Sequence, residues 1–156
     1  MTNFTGTYDC KADAKGRIML PVDLKNQMSP VLNKGFVIKR AVFHACLELY
    51  PMDEWNKLMD KMDKKNRFKQ KNSDFIRRFN AGVKKVEIDS TGRLLIPKNL
   101  VSVANIKKEV VLSSAIKIVE IWDKESYEKV IDAATENYEA WAEEVMGDDE
   151  EDVELS

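Results

Sequence analysis

Apolar positions alternate at the start of this chain and then change period. Phe4, Gly6 and Tyr8 open a run of period two reaching about residue 12, and residues 17–20 form a second. Residues 21–28 fit a short helix that Ser29 and Pro30 stop. Residues 35–39 and 45–50 are again β-rich. The period then lengthens. Trp55, Leu58, Met59 and Met62 fall at i, i+3, i+4 and i+7, a helical stripe. Phe75, Ile76 and Phe79 give a second stripe, with Ser73 as its expected N-cap. Strands return near 83–89, 93–96, 109–112 and 116–121, with a short amphipathic helix after Pro97. A last helix over 126–145 puts Tyr127, Val130, Ile131, Ala134, Tyr138, Trp141 and Val145 on one face. This mixture predicts an α+β fold.

The pattern repeats itself. Asp13-Ala14-Lys15-Gly16-Arg17-Ile18-Met19-Leu20-Pro21 returns as Asp89-Ser90-Thr91-Gly92-Arg93-Leu94-Leu95-Ile96-Pro97. The flanks agree, since Leu47-Glu48-Leu49-Tyr50 matches Val119-Glu120-Ile121-Trp122. A unit of roughly fifty residues has been written twice, which alone would bury too little apolar surface. Gly16 and Gly92 lie between alternating runs, where a tight turn needs positive φ. Asp13 and Asp89 are placed to bond nearby backbone N–H groups. Arg17 and Arg93 open the following strands; Pro21 and Pro97 end them and start short helices. Each copy thus sets an acid and an arginine beside an exposed turn, either as a ligand-reading pair or as a salt bridge that stabilises the hairpin.

Charge adds a gradient. Residues 1–100 hold 20 basic and 11 acidic side chains, whereas residues 101–156 hold 5 and 16. A basic body suits an anionic partner. The segment 57–85 has 11 basic and 3 acidic residues and reads as a phosphate-neutralising surface or as a soluble helix pair. Residues 148–156, past Gly147, are too charged to pack and are expected to be disordered. No apolar run approaches membrane-spanning length and no export pattern opens the chain, so a cytoplasmic protein is expected. Cys10 and Cys46 read as buried thiols without a disulfide. His44 is the single histidine, which rules out a multi-histidine metal site; no metal or cofactor is expected.

With the doubled motif in view, the chain resembles the MraZ family of bacterial transcriptional regulators. Phe4, Gly6 and Tyr8, both Asp-x-x-Gly-Arg…Pro motifs, Tyr50-Pro51-x-x-Glu54-Trp55, Arg78-Phe79-x-Ala81 and Ile121-Trp122-Asp123-Lys124-Glu125 carry the likeness over residues 4–130. It implies two AbrB-like swapped-hairpin units packed as an intrachain pseudo-dimer with peripheral helices. The expected divisions are a first AbrB-like repeat at 4–55, a basic helical connector at 56–82, a second repeat at 83–126, a C-terminal helix at 127–146 and a disordered acidic tail at 147–156, the tail read from its charge and not from the family. The family implies a nucleoid-associated ring of several copies that binds direct repeats upstream of the division and cell-wall gene cluster, its own gene included, and represses it. Arg17, Arg93 and Lys15 are then the expected DNA-binding residues. Asp13, Gly16, Asp89 and Gly92 support the motif. Double-stranded DNA and further copies of the chain are the expected partners, with no membrane and no small-molecule substrate.

Arginine suits this role, because its fork can hold guanine O6 and N7 together. An enzyme is the competing class, since paired aspartates from two halves resemble an aspartic-protease site. The residues argue against it. Asp89-Ser90-Thr91-Gly92 is one residue too long for Asp-Thr-Gly, Asp13-Ala14-Lys15-Gly16 lacks a hydroxyl, and each arginine would depress its carboxylate pKa. No Cys–His pair, phosphate loop or zinc spacing offers other chemistry. A structural ring or protein-binding module remains as the alternative to a DNA reader.

Overall fold

The computed structural model describes residues 3–147; the acidic run 148–156, expected to be disordered, lies outside the described residues. In chain order the elements are β1 (Thr7–Lys11), β2 (Arg17–Met19), α1 (Val22–Met28), a 3-10 segment (Ser29–Lys34), β3 (Phe36–Arg40), β4 (Leu47–Pro51), α2 (Met52–Asp63), α3 (Gln70–Asn80), β5 (Lys84–Val86), β6 (Arg93–Leu95), α4 (Lys98–Val103), β7 (Glu109–Ala115), β8 (Ile118–Asp123) and α5 (Lys124–Met146). The fold is α+β, as the pattern predicts.

The two repeats exchange strands. The main sheet runs β1-β7-β8-β4-β3-β5, and β2 pairs with β6 as a separate two-stranded ribbon. So β1 of the first repeat pairs with β7 of the second, and β5 of the second pairs with β3 of the first. Neither repeat completes its sheet alone. Equivalent residues meet on a pseudo-twofold axis: Ile18 faces Leu94 in the ribbon, and Glu48 faces Glu120 in the sheet. Like charges opposed across strands repel. Here each carboxylate has a donor two residues along its own strand. Tyr50 Oη donates to Glu48 at 3.0 Å, and Trp122 Nε1 donates to Glu120 at 3.1 Å.

Strand alternation sorts the sheet into two faces. Phe36, Ile38, Leu47, Leu49, Val110 and Leu112 point to one side, where Ile18 and Leu94 of the ribbon and Leu24 and Leu100 of α1 and α4 complete the main core. Val37 and Tyr50 point to the other, against Trp55 of α2 and Phe79 of α3. Lys39 is fully buried on this second side, its ammonium 3.6 Å from Glu48 and 4.1 Å from the centre of the Phe79 ring. Burial lowers its pKa, against the pull of Glu48.

Two local expectations are corrected. Ser73 does not cap α3. The helix begins at Gln70, and the Ser73 amide already donates to the Lys69 carbonyl at 3.1 Å. The start moves forward because Asn66 shapes the preceding turn, accepting from the Phe68 amide and, through its carbonyl, from Asn72. Ile116 does not open a strand. Ala115 pairs with Ile118, so Ile116 and Lys117 form the hairpin turn, with Ile116 at φ 66°. Its carbonyl accepts the Phe4 amide at 2.7 Å, which ties the N-terminal segment to that turn. The chain forms two compact units that part after Lys124. In the second, α5 exposes Tyr138, Trp141 and Val145. Among the described residues no helix is long and apolar enough to cross a membrane.

Candidate nucleic-acid interface

Each repeated motif folds into the same braced turn. Asp13 Oδ1 accepts the backbone N–H groups of Lys15 and Arg17, both at 2.9 Å, and Oδ2 accepts Arg17 Nε at 2.7 Å. Asp89 Oδ1 accepts the amide of Thr91 at 3.0 Å, its hydroxyl at 2.7 Å and the Arg93 amide at 2.9 Å, while Oδ2 accepts Arg93 Nε at 3.1 Å. Gly16 and Gly92 sit at φ 84° and 85°, the left-handed region that the turn demands. The donors favour the charged carboxylates. The Arg17 amide, then its side chain, hold Asp13 below the usual carboxylate range. The Arg93 amide, then the Thr91 hydroxyl, hold Asp89 at about 2.

Both copies therefore form the salt bridge of the motif, at 2.7 and 3.1 Å. Among the described residues the protein contacts of both guanidinium groups run through Nε. The terminal nitrogens of the fork extend from a half-exposed side chain already fixed at its base.

The ribbon joins the two turns. Each turn glycine carbonyl accepts an amide from the other repeat, Gly16 from Ile96 and Gly92 from Leu20, both at 2.9 Å. Ile18 and Leu94 face the core, so Arg17, Met19, Arg93 and Leu95 face outward. Arg17 stands opposite Leu95, and Met19 stands opposite Arg93. The outer face is thus a two-by-two chequer of arginines on one diagonal and apolar side chains on the other. Met19 is 53% exposed and Leu95 54%.

Strand exchange also brings cations that the linear motif does not contain. The Lys25 side chain of α1 lies against Gly92, in the second turn. Lys98 at the start of α4 shares a shallow pocket with Asp13, Lys15 and Gly16 of the first turn. Neither lysine stands out in the sequence, because each serves the turn of the opposite repeat. The turns also differ: Lys15 in the first is matched by Thr91 in the second, whose hydroxyl is spent on Asp89.

Other sequence features lie elsewhere. The basic helix pair α2–α3 packs on the sheet face opposite the ribbon, so its lysines do not extend the ribbon's outer surface. Cys46 is buried and Cys10 only half-buried; both are free thiols, and burial pushes each up to about 12. His44 is exposed, with its ring tilted against that of Trp122 at 5.7 Å.

Comparison with known proteins gives a consistent result. The model of the family described as "MraZ protein, putative antitoxin-like" matches residues 3–78 and again 79–149, one copy of the turn motif in each. The chain is 62% identical to the transcriptional regulator MraZ of Christiangramia forsetii, across 97% of this chain and 98% of the relative. It is 57% identical to the protein of that name from Flavobacterium psychrophilum, across 97% of each. Identity to the one from Bacteroides thetaiotaomicron is 32% across 96% of each.

Proposed function

Given that the chain belongs to the MraZ family, we propose that it is a sequence-specific DNA-binding transcriptional regulator. The observation that carries this is the ribbon's outer face, with Arg17 and Arg93 on one diagonal and braced by Asp13 and Asp89. A two-stranded ribbon is one of the two elements that the major groove of B-DNA admits. Arg17 and Arg93 then reach guanine O6 and N7, each aspartate holding its arginine at the base so that the fork enters extended. Lys15, Lys25 and Lys98 meet phosphates beside the two turns. Gly16 and Gly92 let the backbone turn without side chains in the way.

One chain offers two reading arginines, too few for tight and selective binding. Several copies in a ring, set on direct repeats upstream of its own gene and the division and cell-wall cluster, raise affinity through effective concentration. Repression follows from occupying that upstream DNA. The proposed divisions are a first repeat at 4–55, a connector at 56–82, a second repeat at 83–126, a helix at 127–146 and a tail at 147–156. The proposed location is the cytoplasm, on the nucleoid.

Anisotropy titration tests the reading, with the upstream duplex and a scrambled duplex across a salt series, beside the mass from light scattering. Preference for the upstream duplex and a mass several times 17.9 kDa are expected. Equal binding of both duplexes refutes sequence reading. A second reading, a protein-binding ring, is favoured by Phe43 and Phe68, which are 89% and 101% exposed. It predicts assembly without any preference between duplexes.

A further inference from the structure

The chequered face holds two side chains that a purely electrostatic surface does not call for. Alternation along β2 and β6 gives Ile18 and Leu94 to the core and leaves Met19 and Leu95 outside it. A serine or lysine at either place would serve solubility better, and no described residue covers their exposed halves. Both occupy the same position of their repeat, and each stands directly across the ribbon from the arginine of the other repeat. An apolar group repeated at the same position of both halves of an otherwise polar face suits an apolar partner.

We infer that Met19 and Leu95 read thymine C5-methyl groups in the groove that Arg17 and Arg93 enter. This rests on the DNA-reading function proposed above. The surrounding charge fixes the class of partner: Arg17, Arg93, Lys15, Lys25 and Lys98 ring this face and favour a polyanion. Within the major groove of duplex DNA, the thymine methyl is the apolar group on the base edges. Spacing agrees. Side chains two residues apart on a strand are about 6.6 Å apart, close to two base steps at about 3.4 Å each. Cross-strand neighbours are about 5 Å apart. An arginine on a guanine therefore sets its two apolar neighbours, one along its own strand and one across the ribbon, over base pairs one or two steps away. The site is read as guanine by charge and as thymine by apolar contact, in both halves.

The experiment uses the full chain and a duplex selected by it from a random pool. Each thymine in that duplex is replaced in turn by deoxyuridine, which removes one methyl and leaves every hydrogen bond in place. Wild type should lose affinity roughly fourfold at one or two positions, the scale of burying one methyl. Met19→Ser and Leu95→Ser should each erase one of those losses while keeping the melting temperature, and Met19→Leu should retain its loss. Uridine substitution without effect, losses that persist in both serine variants, or a selected duplex lacking thymine beside guanine would each overturn the inference while leaving DNA reading intact. Serine variants that change the mass in solution but not the uridine losses would instead place another copy of the chain on this face, and would also overturn it. Failure to select any duplex would remove the DNA-reading function itself, and this inference with it.

Discussion

Ile18 stands directly opposite Leu94 in the ribbon, and neither has any exposed surface. The pair holds the ribbon down on the sheet while their neighbours Arg17 and Arg93 face out. Leu94→Ala removes buried methyl groups at a site held by both repeats and should cost roughly 3 kcal/mol of unfolding free energy. Urea denaturation measures it. A loss below about 1 kcal/mol, the scale of a well-tolerated swap, would mean that the ribbon is not anchored there.

Arg17→Ala and Arg93→Ala should behave in the opposite way, with melting temperature nearly unchanged and specific binding weakened. Loss of a bidentate guanine contact is worth about 1–3 kcal/mol, or roughly fivefold to over a hundredfold in affinity. Lys25→Ala and Lys98→Ala should weaken selected and scrambled duplexes alike and lower the salt slope by about one each. Substitutions at Lys64 and Lys65 should leave that slope unchanged for a short duplex, since α2–α3 lies across the sheet from the ribbon. Titrations of the variants at several salt concentrations separate the three behaviours.

The two turn glycines share a conformation but not a neighbourhood. A methyl group on Gly16 would lie 3.0 Å from the Ile96 carbonyl oxygen, backbone of a residue whose own amide is bonded to the Gly16 carbonyl. On Gly92 the nearest atoms belong to the flexible end of Lys25, at 3.2 Å. Both alanines strain the left-handed backbone by about 1 kcal/mol or more. Gly16→Ala should therefore be the more destabilising of the two, as thermal melts of the paired variants would show. Equal melting temperatures would mean that the Ile96 carbonyl yields freely.

Acid should act on the braces. Asp89 titrates at about 2 in the folded chain against an ordinary 3.8, so its contribution is present above 3.8 and fades as pH falls towards 2. Asp13 shifts in the same direction. Carboxyl chemical shifts followed by NMR should show Asp89 still ionised at pH 3, about one unit above its folded pKa. Asp89→Asn should flatten the acid loss in the same range. A titration midpoint at 3.8 would mean that the turn does not hold its carboxylate in solution.

Much of this was legible in the chain because the motif is written twice. Asp13, Gly16, Arg17 and their partners at 89, 92 and 93 occupy the turn positions that spacing and residue type predict. Lys25 and Lys98 were not legible, because strand exchange carries each to the other repeat's turn. Met19 and Leu95 read as ordinary strand residues until the β2–β6 register put them outside the core. Ile116 misled for a physical reason. A β-branched residue argues for extended backbone, and here the hairpin closure and the bond to Phe4 override that preference.

Strand exchange also orders events in time. Residues Thr7–Lys11 find their sheet partner in Glu109–Ala115, about a hundred positions later in the chain. On a ribosome adding about 5–20 residues per second, the first strand waits roughly 5–20 s for its mate to be made. Until then Tyr8 and Cys10 have no sheet to join, and the first repeat emerges as an open half. The molecule is therefore completed near the end of its own synthesis, and a ribosome stalled at the connector would release a chain with an unpaired β edge.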